Sequence, residues 1–190
     1  MTRRDALSRV SLMLGGTIIG SEIFLYGCKP DTVQLSTVEF TPTNIAFLDE
    51  VGETILPTTA SSPGAKAAEI GEFMKVIVTD CYEKQDQEIF LEGIGKLNEA
   101  SNAKYSKDFM KLSAEEKTEF LTALDQEANE YNKTKENGAP NHYFSMMKQL
   151  TLWGYFSSEV GATQALRYVE TPGRWEGCIP YEKGDKAWAI

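Results

Sequence analysis

Histidine is almost missing from this 190-residue chain: His142 is the single copy, and cysteine occurs only three times. That scarcity removes most catalytic schemes at once. Zinc sites draw on clusters of His and Cys, and hydrolytic triads need a positioned imidazole. There is no Cys-x-x-Cys-His for covalent haem and no run of cysteines for an iron-sulfur cluster. A lone His after a turn reads as a capping or solvated residue. Gly93 and Gly95 lie within a helical pattern with no strand before them, so they do not read as dinucleotide binding. Asp49, Glu50 and Glu53 read as helix surface, and Met146 with Met147 as core filler. Positive charge is also short. Nineteen Lys and Arg stand against 28 Asp and Glu, a net charge of −9 with no basic cluster, which repels phosphate backbones and excludes nucleic acid as a partner.

Long apolar runs are missing too, except near the N-terminus. Arg3 and Arg4 precede Leu7 and an uncharged segment from Val10 to Ser21. This is the pattern of a twin-arginine export signal, whose machinery moves proteins that have already folded. Leu25-Tyr26-Gly27-Cys28 fits a lipoprotein signal in which Cys28 is lipidated and becomes the mature N-terminus. Ala6, Ser8 and Tyr26 depart from the commonest residues of these signals. Glu22 argues against a stable membrane span, because a span needs about 20 apolar residues and a central carboxylate costs on the order of 3 kcal/mol. An uncleaved signal-anchor and a cytoplasmic protein with an apolar first helix stay open beside this reading. Export places the chain on the periplasmic side of the cell envelope, anchored by lipid. Without residues 1–27, which hold three basic and two acidic residues, the net charge is −10.

The remaining length suits one domain. Residues 1–28 form the signal, 29–42 a polar tether with two prolines, 43–170 a helical domain and 171–190 a C-terminal arm. Ile45, Leu48, Val51 and Ile55 mark a first helix that Pro57 ends. Ile70, Phe73, Met74, Ile77 and Cys81 mark a second, with Cys81 facing the core. A third carries Phe90, Leu91, Ile94 and Leu97 behind an Asp86 cap. Ser113 and Glu116 make a capping box for a fourth, with inner residues Phe120, Leu121, Leu124, Ala128 and Tyr131. A fifth follows Pro140, with Tyr143, Met146, Met147, Leu150 and Trp153, and runs on toward Tyr168; Gly154 and Gly161 permit close approach or a bend. No period-2 pattern is convincing, so the fold class is all-α, a small helical bundle with an irregular arm. That arm is rich in Gly and Pro yet holds Trp175, Tyr181 and Trp188. Such aromatics pack back on the bundle or anchor another protein.

Cys81 and Cys178 are candidates for pairing in an oxidising compartment. A bridge would close a loop of about 100 residues and stabilise by roughly 4 to 5 kcal/mol in the chain-entropy model. The other reading is two separate thiols, Cys81 buried and Cys178 exposed or joined to a partner subunit. The internal bridge is the expectation carried forward.

Phe47 to Pro57 (FLDEVGETILP), Thr58 to Tyr82 and above all Thr151 to Trp188, with GYFSSEVG followed by ALRYVETPGRWEGCIP, resemble the gluconate 2-dehydrogenase subunit 3 family. The resemblance implies a non-catalytic small subunit. In such systems a large subunit of the glucose-methanol-choline oxidoreductase type holds the FAD and oxidises a sugar or sugar acid, and a cytochrome or another acceptor takes the electrons. The small subunit carries the export signal for both. No cofactor is then expected in this chain, and no catalytic residue is carried over. A stand-alone helical envelope lipoprotein that acts as a binding module is the alternative.

Overall fold

Thr41 sets the first helix: its side chain accepts a hydrogen bond from the Asn44 amide at 3.2 Å, and Pro42 follows at a position where the missing N–H costs nothing. The structure is a computed structural model and describes residues 34–171, 173–174 and 177–189. Arg3, Arg4, Cys28 and Trp175 lie outside the described residues. Helix α1 spans Pro42–Ile55, α2 Ile70–Cys81, α3 Lys84–Tyr105, α4 Ala114–Thr134 and α5 Tyr143–Ser157. Short 3-10 turns at Ala65–Ala68 and Phe109–Lys111 sit between them. Among the described residues β pairing is limited to one isolated bridge, Arg167 with Trp188, and no helix is long and apolar enough to cross a membrane. The fold is all-α with an irregular C-terminal arm, as the periodicity predicts.

The core is built on four fully buried phenylalanines, Phe47, Phe90, Phe109 and Phe144, each from a different element. Burying such a side chain stabilises by about 1.5 to 3 kcal/mol. Phe47 meets Phe109 at 5.5 Å and Phe109 meets Phe120 at 6.1 Å, so α1, the Phe109–Lys111 turn and α4 share one aromatic seam. Helix α5 is central and packs against each of the other four helices. Gly93 makes one of those contacts possible: a Cβ there would stand 2.5 Å from Cβ of Tyr143. Burial against α3 pushes the Tyr143 hydroxyl up to about 12.

Packing begins upstream of Thr43, inside the stretch read as a tether. Asn44 is fully buried; its side-chain oxygen accepts from the Ser36 amide at 3.0 Å and its nitrogen donates to the Ser36 carbonyl at 2.7 Å. A buried amide satisfied on both ends is a specific clamp. It holds a strap whose Leu35 and Phe40 lie on the core, with Phe40 6.1 Å from Phe90.

Four sequence expectations shift. On α2 the buried residues are Ile70, Gly71, Met74 and Val78, while Phe73 and Ile77 are half-buried and Cys81 is exposed. The helix is apolar on more than one side, so spacing alone does not choose its inner face. Helix α3 starts at Lys84 behind Glu83, which holds the capping position without a side-chain hydrogen bond, and Asp86 stands in the first turn instead of capping it. Gln87 serves the junction, donating to the Thr79 and Tyr82 carbonyls that end α2. Tyr131 and Trp153 are exposed, because Ala128 and Tyr155 occupy the inner positions. Helix α5 ends at Ser157, and a π turn at Gly161–Ala165 follows it. Gly161 is required there, since a Cβ would collide with the Tyr155 carbonyl. The capping box of α4 is present in both directions.

Candidate partner-binding surface

Asp49, Glu50, Glu53 and His142 are engaged in holding the fold. Glu50, on α1, accepts from Lys66 and from Lys117, both at 2.6 Å. Burial opposes its ionisation, but the hydrogen bonds from Lys117 and Lys66 outweigh that and hold the carboxyl below its ordinary range. Glu53 accepts from the Thr58 and Lys66 amides, each at 2.9 Å, and so fastens the loop after α1. Asp49 accepts from the Gly71 amide at 2.8 Å, and burial raises its carboxyl above the usual value. These three carboxylates are therefore brackets and not the solvated surface that the sequence suggests. Apart from Thr58, their partners lie 13 to 67 residues away, where no local pattern reveals them.

His142 caps α5: its Nδ1 accepts from the Phe144 amide at 3.2 Å. Burial lowers its pKa, which keeps the ring in the neutral form that can accept. Among the described residues no group of three or more His, Cys, Asp and Glu could hold a metal ion. A concavity of about 720 Å³ is lined by one face of α4 that includes Ala114, Thr118 and Thr122, and is a helix surface.

Cys81 and Cys178 are both free and exposed, so the expected internal bridge is not formed. Cys81 closes α2 on its outer side, and Cys178 lies in the arm. Elsewhere the arm is fixed to the end of the helical body. The Arg167 amide donates to the Ala187 carbonyl at 2.7 Å and the Ala189 amide to the Arg167 carbonyl at 3.0 Å. The Arg167 guanidinium covers the Trp188 ring at 4.9 Å, and Lys186 donates to the Gln164 carbonyl. Trp188 is thus half-spent on its own chain, whereas Tyr181 is 76% exposed.

A second apolar surface, not foreseen from the sequence, lies where α5 runs beside α2. Trp153 is 54% exposed and Phe156 40%, and Leu152 joins them on the same outer face of α5. Across the seam Trp153 stands edge-on to Phe73 with centroids 5.5 Å apart. One turn beyond Phe73 on α2 is Val76, also exposed. Gly154 brings the helices this close, because a Cβ there would come within 2.5 Å of the Phe73 ring. The absence of charge from Gln149 to Ser158 was the available signal.

An all-helical body that turns Val76, Leu152, Trp153 and Phe156 outward along one seam, and whose Asp49, Glu50 and Glu53 serve as brackets, has the build of a subunit that works against another protein. A family model described as gluconate 2-dehydrogenase subunit 3 matches residues 42–173, and the chain belongs to that family of accessory subunits of a dehydrogenase complex. Its partner is accordingly a dehydrogenase catalytic subunit. No curated protein and no solved structure matches the chain.

Proposed function

We propose that this chain is the non-catalytic small subunit that takes an FAD-dependent sugar or sugar-acid dehydrogenase of the glucose-methanol-choline type through twin-arginine export, stabilises it, and holds it at the periplasmic face through lipidated Cys28. The family membership carries this reading. Arg3-Arg4 with the uncharged stretch behind them supports the export step. A folded-protein route suits a partner that must take up its flavin before leaving the cytoplasm. The partner supplies FAD and the sugar site and passes electrons to a cytochrome or another acceptor. This chain supplies an address and a surface. Tyr181 and Trp188, with Trp175, offer a contact from the arm.

The test is the double variant Arg3→Lys, Arg4→Lys. Both subunits should then remain in the cytoplasm, and normal periplasmic dehydrogenase activity in that strain sinks the escort reading. Cys28→Ala should move the complex from the membrane fraction to the soluble periplasm. Unchanged membrane association refutes lipid anchoring.

A further inference from the structure

We infer that the outer seam of α5 and α2, centred on Trp153, is the surface on which the dehydrogenase catalytic subunit docks. This rests on the accessory-subunit reading and goes further, since it names the face. Three observations carry it. The first is chemical. Charged residues make up 25% of the chain, yet none occurs from Gln149 to Ser158, where Leu152, Trp153 and Phe156 are turned outward. Interface cores are depleted of charge and enriched in aromatics, and the polar rim surrounds them. Around it Glu72 pairs with Lys75 at 3.1 Å and Asp125 with Lys148 at 2.8 Å, and the exposed acids Asp80 and Glu159 follow Val76 and Phe156 closely in the chain. An apolar centre of this kind fits an apolar patch on the partner.

The second observation is rigidity. Trp153 is braced by the edge contact with Phe73, and Gly154 locks the spacing of the two helices. A side chain already held loses little freedom on binding, which is the property of an anchor. The third is location. Association with a dehydrogenase subunit is what the family has in common, and the family match covers residues 42–173. Val76, Trp153 and Phe156 fall inside it, and Tyr181 and Trp188 fall outside. The docking face shared by the family is therefore to be sought on the helical body, and the arm is an addition to it.

The experiment uses the full chain with the dehydrogenase catalytic subunit from the same genome, co-expressed and purified through a tag on the small subunit, followed by titration of the separated subunits. Trp153→Ser and Phe156→Ser should each weaken binding roughly thirtyfold, the fold-change of a hot-spot aromatic. Val76→Lys, from the other side of the seam, should weaken it comparably, and Glu99→Lys on the outer face of α3 should leave it unchanged. Circular dichroism should show the same helix content in all four. Binding by the seam variants within threefold of wild type overturns the docking face while the subunit reading survives. No binding by the wild-type chain overturns both. A wild-type chain that is a dimer by light scattering and becomes monomeric on Trp153→Ser assigns the face to a second copy, which also overturns the proposal.

Discussion

Arg167 and Trp188 meet twice: the guanidinium covers the indole at 4.9 Å, and their backbones form a parallel bridge through the two amide bonds that flank it. The arm is therefore part of the domain and not a free tail. Trp188→Ala removes a cation–π contact of about 0.5 to 1 kcal/mol and with it the reason for the bridge to close. The Ala189 amide should exchange several times faster, and trypsin should cut sooner after Lys183 and Lys186. Helix content should not change. Equal exchange and cleavage rates in the variant would show that the backbone bridge alone holds the arm.

Glu50 ties α1 to the Ala65–Ala68 turn and to α4, with Lys117 only 11% exposed. Replacing it by Gln leaves Lys117 without its anion, at a cost of about 2 kcal/mol at neutral pH. The folded-state pKa of Glu50 is lowered, so its stabilisation is full above the unfolded value near 4.5 and is lost as pH falls through the folded value. Urea unfolding of wild type and Glu50→Gln should thus differ at pH 7 and converge progressively as pH falls below 4.5. A gap that persists in acid would assign the effect to packing.

His142 gives a second window at milder pH. Its folded-state pKa is lowered from 6.5 by burial, so its neutral form stabilises fully above 6.5, and that contribution is lost as pH falls through the folded value. Protonated Nδ1 can no longer accept from the Phe144 amide. His142→Asn keeps a capping oxygen without the titration. The melting temperature of wild type should fall between pH 7 and pH 5 more than that of the variant, and parallel curves would remove His142 as the cause.

Gly93 tests the seating of α5 on α3. In a free helix Gly→Ala gains about 1 kcal/mol. Here the added methyl meets Cβ of Tyr143 at 2.5 Å, a backbone-proximal atom that cannot swing away. Overpacking of this kind costs about 1 to 3 kcal/mol. Gly93→Ala should therefore lower the denaturant midpoint, and a raised midpoint would show that the two helices separate easily.

What could be read before the structure was local in origin. Ser113 with Glu116 opens α4 as the capping box requires, and the stripe of Phe90, Leu91, Ile94 and Leu97 is the buried face of α3. Where a helix is apolar most of the way round, period fails to choose a side: Trp153 was placed inward and Cys81 with it, and neighbouring helices instead took Tyr155 and Val78. The long-range pairs were invisible for another reason. Glu50 and Lys117 stand 67 residues apart, and no spacing rule links them. The strap was hidden by composition, since Asn44 recognises the backbone of Ser36 and not its side chain. The seam of Phe73 and Trp153 shared that difficulty, because it exists only once Gly154 has let two helices meet.

Helix α5 touches every other helix of the body. A partner that grips its outer face therefore acts on the unfolding equilibrium of the whole domain, because α5 cannot detach while the rest stays packed. By mass action, a partner at a hundred times its dissociation constant adds about 2.7 kcal/mol to the folded state. The bound subunit then outlasts the orphan. A cell that makes this chain in excess should see the surplus cleared by proteases first, so that the amount of small subunit follows the amount of enzyme without any separate control of its synthesis.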